Sequence, residues 1–373
     1  MKVGGVPYRA IFTEGAGTRV RVIDQTLLPH RFETVRLRTA ADAARAIRDM
    51  IVRGAPLIGA TAAYGVALAM RADPSVASLK QATAMLASAR PTAVNLRWAL
   101  DAAGALLRPF PPGERADAAY DFAARLCEDD VRRNRSIGEH GLAVFREIAR
   151  AKGSGAGRSG TGAASKRTIN VMTHCNAGWL ATVDWGTATA PVYLAHDEGM
   201  RVHVWVRETR PRLQGAALTA WELGQHGVPH TLVSDSAAGH LLNRGKVDLV
   251  IVGTDRTTAA GDVANKVGTY PLALAARDNG VPFYVAAPSP SIDWTIQDGA
   301  SIPIEERDPD EITQVWGVDE DGVERRVRVT PQGTRAANYA FDVTPGRLVT
   351  GLVTERGVCP AEQGALGRMF RRS

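Results

Sequence analysis

The chain has 373 residues, 45% of them hydrophobic, and a formal charge of +6. That length permits two domains, and that apolar content excludes overall disorder. Arginine outnumbers lysine, yet no dense basic block carries interleaved aromatics, so no nucleic-acid partner is expected.

No apolar run of membrane-spanning length is read, so no membrane partner is expected. The opening MKVGGVPYRAIF has no signal-peptide apolar segment, which makes the cytoplasm the expected location. The three cysteines, Cys127, Cys175 and Cys359, are far apart and form no Cys-x-x-Cys pair. A disulfide framework and a zinc ribbon are therefore not expected, nor is any other metal site.

Taken in order, RVRVIDQTLLPHRFETVRL alternates and predicts a small antiparallel sheet. The next stretch, TAADAARAIRDMIVRGAPLIGATAAYGVALAMRA, predicts two helices broken at Gly54 and Pro56, with Pro56 in the first turn of the second. Further helices are predicted over LKQATAMLASA, PTAVNLRWALDAAGALL and the long run from Glu114 to Ala151. AKGSGAGRSGTGAASK, Ala151 to Lys166, has almost no large side chain and reads as a flexible connector. It lacks the Gly-Lys-Ser/Thr ending of a phosphate loop.

After it, TINVMTH, RVHVWVRE, HTLVSD, VDLVIVGTD and PFYVAAP predict five strands alternating with helical stretches. That rhythm predicts a doubly wound parallel sheet. No Gly-x-Gly-x-x-Gly follows the first strand, so no dinucleotide cofactor is expected. Three segments follow: a helical N-terminal domain with a small sheet over 1–150, the linker over 151–166, and a Rossmann-like domain over 167–373. The closing GRMFRRS reads as a solvated basic tail.

Ligands of open parallel sheets bind beyond the carboxyl ends of the strands. His174, Cys175 and Asn176 follow the first strand, and Asp255 follows the most apolar one. Cys175 is expected at the start of a helix beginning near Ala177, which would lower its thiol pKa. Position alone leaves a buried filler and a reacting thiol equally open. Asp255 is either a partly desolvated general acid or a turn cap. Arg53, with the N–H groups of Gly54 and Ala55 at a helix start, would form an anion pocket, although an ordinary helix turn has the same pattern. Arg90 with Pro91 repeats the theme. Gln214 stands near a helix start, and Asp262, Asn265 and Lys266 precede another.

Together, VRGAPLIGATAAYG, ARPTAVNLRWA, THCNAGWLAT, VWVRETRPRLQGAALTAWEL, VGTDRTTAAGDVANKVGTYPLALAA, VPFYVAAPSPSID and IPIEERDP resemble the methylthioribose-1-phosphate isomerases. These belong to a group that includes regulatory subunits of a translation-initiation exchange factor. The match spans roughly residues 20 to 345. It departs at Gly-Thr-Asp, where the family often reads Gly-Ala-Asp; Thr254 is expected to point away from Asp255.

The resemblance implies a helical N-terminal domain followed by a Rossmann-like domain. It implies conversion of 5-methylthioribose 1-phosphate to 5-methylthioribulose 1-phosphate in methionine salvage, without metal or cofactor. Cys175 and Asp255 match the catalytic pair. Arg53, Gly54, Ala55, Arg90, Gln214, Asn265 and Lys266 match the substrate-binding positions. A homodimer is expected by the same resemblance. The alternatives are an isomerase of ribose 1,5-bisphosphate or 5-deoxyribose 1-phosphate, and a non-catalytic regulatory subunit. Tyr8, Tyr64 and Trp98 are candidate walls for the substrate's methylthio end.

Overall fold

The computed structural model describes residues 1–15, 17–154 and 168–371. Alternation builds the first sheet: β1 (Ile11–Glu14), β2 (Arg19–Ile23) and β3 (Thr34–Leu37) pair antiparallel in that order. Val20 and Val22 turn inward on β2 while Arg19 and Arg21 face away. Thr39 then starts α1 (Ala40–Arg48) with a reciprocal cap, its side chain accepting from the Asp42 N–H while Asp42 accepts from the Thr39 N–H.

The break falls where Gly54 and Pro56 place it. α2 (Ala55–Ala72) begins with Pro56 in its first turn and is followed by α3 (Val76–Ala89), α4 (Val94–Leu107) and α5 (Pro112–Ser154). Contrary to the sequence reading, α2 is an apolar run long enough to cross a membrane by length and composition. It is instead a core helix, packed by α1, α3, α4 and α5, so it has no polar face to present. α5 runs on to Ser154, and most of the expected linker lies outside the described residues.

The second half supplies β4 (Ile169–Thr173), α6 (Ala190–Asp197), β5 (Val202–Arg207), α7 (Ala220–His226), β6 (His230–Val233), α8 (Ala237–Asn243) and β7 (Leu249–Val252). It continues through β8 (Arg256–Thr258), β9 (Val263–Lys266), α9 (Thr269–Asp278), β10 (Phe283–Ala286), β11 (Phe341–Thr344), β12 (Gly351–Thr354), β13 (Gly357–Cys359) and α10 (Gln363–Phe370). All five strands predicted for the parallel sheet form. They lie in a seven-stranded sheet of order β13-β12-β10-β7-β4-β5-β6, parallel except for β13. The protein is thus mixed α/β, with a helical N-terminal region and a large, mostly parallel sheet.

Two strands and a helix were missed at the C-terminal end. β12 and β13 extend the sheet, and α10 buries Leu366, so residues up to Phe370 are not a solvated tail. A second, four-stranded sheet was missed as well. It contains β8, β9, β11 and Ile292–Asp293. Its short strands give too few alternations to be read from sequence.

Strand order positions the site. The chain lays β5 and β6 on one side of β4, then returns to place β7 and β10 on the other. β4 and β7 are direct neighbours, with Met172 opposite Val250. The crevice at such a reversal is where open parallel sheets accept ligands.

Candidate functional site

Cys175 lies two residues past β4 and Asp255 three past β7, so adjacent strands deliver both to the reversal point. Cys175 is 8% exposed and holds a φ of 63°, a conformation that L-residues rarely adopt. Its N–H donates to Thr209 Oγ1 at 2.8 Å, and its carbonyl accepts from Thr219 Oγ1 at 2.7 Å. Thr209 and Leu213 also have positive φ, at 68° and 58°. Such clustering of strain is a mark of functional sites.

No helix begins near Ala177; the segment makes only a short 3-10 turn, Trp179–Ala181. The backbone N–H groups of Trp179 and Leu180 donate to the Glu222 carboxylate at 3.1 and 2.9 Å. The Glu222 carboxyl therefore takes the N–H groups where a helix dipole was expected to act on the thiol. Burial pushes the Cys175 thiol up; Arg53 and Lys266 pull it down and Asp255 pushes it further up. The expected lowering by a helix start is thus replaced by a raised pKa. His174 is buried and hydrogen-bonds Val267 O at 2.9 Å, and burial with Arg207 nearby drives it down to about 3, so it is neutral.

Asp255 is partly buried, its N–H donating to Ala264 O at 3.0 Å. Burial pushes its carboxyl up against the pull of Lys266, Arg90 and Arg53. Thr254 bonds Thr257 Oγ1 at 3.0 Å rather than Asp255. Lys266 ends β9, donates to Ala340 O at 2.7 Å and stands 5.0 Å from the Phe341 ring centre. Burial lowers its pKa, opposed by Cys175 and Asp255. Asn265 precedes it and donates to Thr269 Oγ1 at 3.0 Å. The sequence placed these two before a helix; they lie on a strand that precedes α9. Asp262 is a structural residue, accepting from the N–H groups of Gly299 and Gly346.

Arg53 turns toward β4. Its Nη2 donates to the Asn176 carbonyl at 2.8 Å and its Nη1 to the Asn176 amide oxygen. Gly54 caps α2 with a φ of 91°, and a Cβ there would stand 2.3 Å from Ala181 O. Only glycine lets the α2 start lie on that turn. Ala55 opens the helix with no side-chain cap, which leaves first-turn N–H groups available. Arg90 is the C-cap of α3. The expected helix start at Pro91 is instead a turn, and α4 begins only at Val94. Arg90 Nη2 pairs with Glu305 at 3.0 Å, while its Nε is buried without a partner. Gln214 Oε1 is likewise buried and unpartnered. Orphaned polar atoms are costly, and a ligand would satisfy them.

Sequence reasoning missed the carboxylates behind these cations. Glu305 bridges Arg90 and Arg307, and Arg307 also binds Glu311. A cavity of about 630 Å³ opens beside Arg53 and Gln214, with Leu27, Leu28, Pro29, Met50, Leu213 and Trp316 among its walls. Cys175 and Asp255 do not line it. Nor do the expected walls: Tyr8 packs on Phe32, Tyr64 is 5% exposed in the helical core, and Trp98 lies beneath Arg133.

The fold is that of an α/β protein, with the candidate residues gathered at the carboxyl edge of a mostly parallel sheet. The chain belongs to the Initiation factor 2 subunit family, which matches residues 51–361. It is 61% identical over 372 residues to the methylthioribose-1-phosphate isomerase of Acidiphilium cryptum, covering 99% of this chain and 98% of that one. The isomerase of the same name from Rhodospirillum rubrum is 58% identical, over 99% and 93%. Among solved structures, 5-methylthioribose 1-phosphate isomerase from Pyrococcus horikoshii OT3 is 36% identical with a TM-score of 0.81, covering 98% of this chain and 96% of that one. The translation initiation factor eIF-2B, subunit delta, from A. fulgidus is 37% identical with a TM-score of 0.77, over 97% and 99%.

Proposed function

We propose that this chain isomerises 5-methylthio-D-ribose 1-phosphate to 5-methylthio-D-ribulose 1-phosphate in methionine salvage, with Cys175 and Asp255 as the catalytic pair. One observation carries the assignment: neighbouring parallel strands bring a buried thiol and a carboxyl held toward its neutral form to the same edge of the sheet, within electrostatic reach of each other, Lys266 and Arg53. The identity to curated isomerases over nearly the whole chain supports the substrate.

The anomeric phosphate locks the sugar ring, so opening requires a proton on the ring oxygen. Asp255 supplies it, and its raised pKa suits a general acid. Hydrogen then moves from C2 to C1. Either Cys175 as thiolate takes a C2 proton and returns it to C1 through an enol phosphate, or a hydride passes directly and the O2 proton leaves to a nearby base. Burial holds Cys175 as the thiol and so favours the hydride route. Arg53, Gly54, Ala55, Arg90 and Lys266 serve the phosphate, with Asn265 and Gln214 on the sugar.

We read the large sheet as Rossmann-like and doubly wound, with its strand reversal in support. The division into 1–150, 151–166 and 167–373, a homodimer and a cytoplasmic location complete the reading. The test is turnover by the purified chain. Methylthioribose 1-phosphate should give the highest kcat/KM among itself, ribose 1,5-bisphosphate and 5-deoxyribose 1-phosphate. No turnover of any sugar phosphate overturns the proposal in favour of a non-catalytic subunit. A deuterium at C2 should be kept at C1; its loss to solvent makes the enol route correct.

A further inference from the structure

Glu222, on α7, is fully buried and lies outside the set of residues assigned to substrate. Its Oε1 accepts from Asn176 Nδ2 at 2.9 Å and from the Leu180 N–H at 2.9 Å. Its Oε2 accepts from the Trp179 N–H at 3.1 Å and from the Tyr193 hydroxyl at 3.0 Å. Only a carboxylate offers two acceptor oxygens to such a set of donors. Space for it exists because residue 178 is glycine: a Cβ there would stand 1.6 Å from Glu222 Oε2.

We propose that Glu222 is a positioning residue for the anion site, fixing the Asn176 amide so that Asn176 holds the Arg53 guanidinium toward the ligand. The Asn176 Nδ2 is committed to Glu222 and, at 3.2 Å, to Thr219 Oγ1. Its Oδ1 must then face Arg53, because a flipped amide would set N–H groups against the guanidinium. Two of the five guanidinium N–H groups are used in this way, and the remainder have no other protein partner among the described residues and can bind an anion. The same carboxylate pins the turn on which Gly54 rests. Burial drives Glu222 up to about 7, so the fold bears a cost that an apolar residue of similar volume would avoid.

The proposal rests on the reading that Arg53 binds the substrate phosphate. It is tested by a double-mutant cycle of Glu222→Gln and Arg53→Lys, read by substrate KM and by the affinity for inorganic phosphate. Glu222→Gln should raise KM about tenfold, with kcat changed roughly threefold or less, because binding and not chemistry is disturbed. In the Arg53→Lys background, where a point charge cannot make both bonds to Asn176, the further change should fall to about twofold or less. Equal losses in both backgrounds, or an unchanged KM in Glu222→Gln, overturn the proposal. If Glu222→Gln does not fold, Asn176→Ala breaks the same link with Glu222 intact and is held to the same two outcomes. Absence of turnover in the unaltered chain sinks the isomerase reading instead, and phosphate affinity still reads the coupling.

Discussion

Replacing Asp255 with asparagine separates chemistry from folding. The side chain forms no hydrogen bond among the described residues, and asparagine matches its size. No bond is lost on folding, and the cost of burying a charge is removed. Stability at pH 7 should therefore stay within about 1 kcal/mol of the unaltered chain or rise. The pH dependence has a fixed sign. Burial raises the folded carboxyl above its unfolded value, so the native state holds the proton more tightly. That contribution is full at low pH and is lost as pH climbs through the raised value. Asparagine lacks it, so the stability of the variant relative to the unaltered chain should grow from pH 4 to pH 8. Turnover should fall by about two to four orders of magnitude, the usual contribution of a general acid, or roughly 3–5 kcal/mol of barrier. Ketose formation gives the rate and chemical denaturation across pH gives the stability. Turnover within tenfold of the unaltered chain removes Asp255 as the general acid, and a loss of more than about 2 kcal/mol at pH 7 contradicts its unpaired burial.

Gly178→Ala forces a Cβ into Glu222 and should destabilise by at least about 2 kcal/mol, as overpacking does; a neutral result in denaturation contradicts the described packing. Arg90→Ala should raise substrate KM about tenfold with kcat largely kept, and weaken inhibition by inorganic phosphate in parallel; an unchanged KM removes Arg90 from the phosphate site. Burial alone would raise Glu311, but hydrogen bonds and charge from Arg307 and Arg212 hold it at about 2. Its contribution is present above the ordinary carboxylate pKa and is lost as pH falls toward 2, by up to roughly 3 kcal/mol. Glu311→Gln should therefore be clearly less stable than the unaltered chain at pH 6, with the gap closing by pH 2.5. A gap that is constant with pH contradicts the ion pairing.

The parallel strands were legible because each is a short β-branched run bounded by turn residues, and the break before α2 because Gly54 and Pro56 punctuate it. Adjacency was not. Cys175 and Asp255 lie 80 residues apart, and only the return of β7 to the far side of β4 makes them neighbours. Local pattern carries no information about that return. Glu222 escaped notice because one carboxylate in AALTAWELGQ reads as a solvated helix position. Its partners come from the 176–180 turn and from Tyr193, far off in sequence. The misreading of Cys175 has the same root. The turn N–H groups expected to act on the thiol are already bound by Glu222. The strained backbone at Cys175, Thr209 and Leu213 has no glycine to announce it.

The buried groups also constrain how protons can pass in the proposed reaction. Ring opening adds a proton to the ring oxygen, and forming the ketone removes one from O2, so the tally over a full turnover is zero. In that reaction Asp255, whose pKa burial raises, gives its proton to the ring oxygen and is then a base when the O2 proton must leave. Lys266 and Arg53 are placed to stabilise that transient carboxylate, since both pull the Asp255 pKa down against burial. A second anion on Cys175 at that moment would raise Asp255 again, because the two groups repel. The electrostatics thus disfavour ionising Cys175 and Asp255 together beside the substrate phosphate. Proton abstraction by a thiolate requires Cys175 to ionise beside Asp255. A hydride shift needs only Asp255 to ionise, and it leaves Cys175 as the thiol.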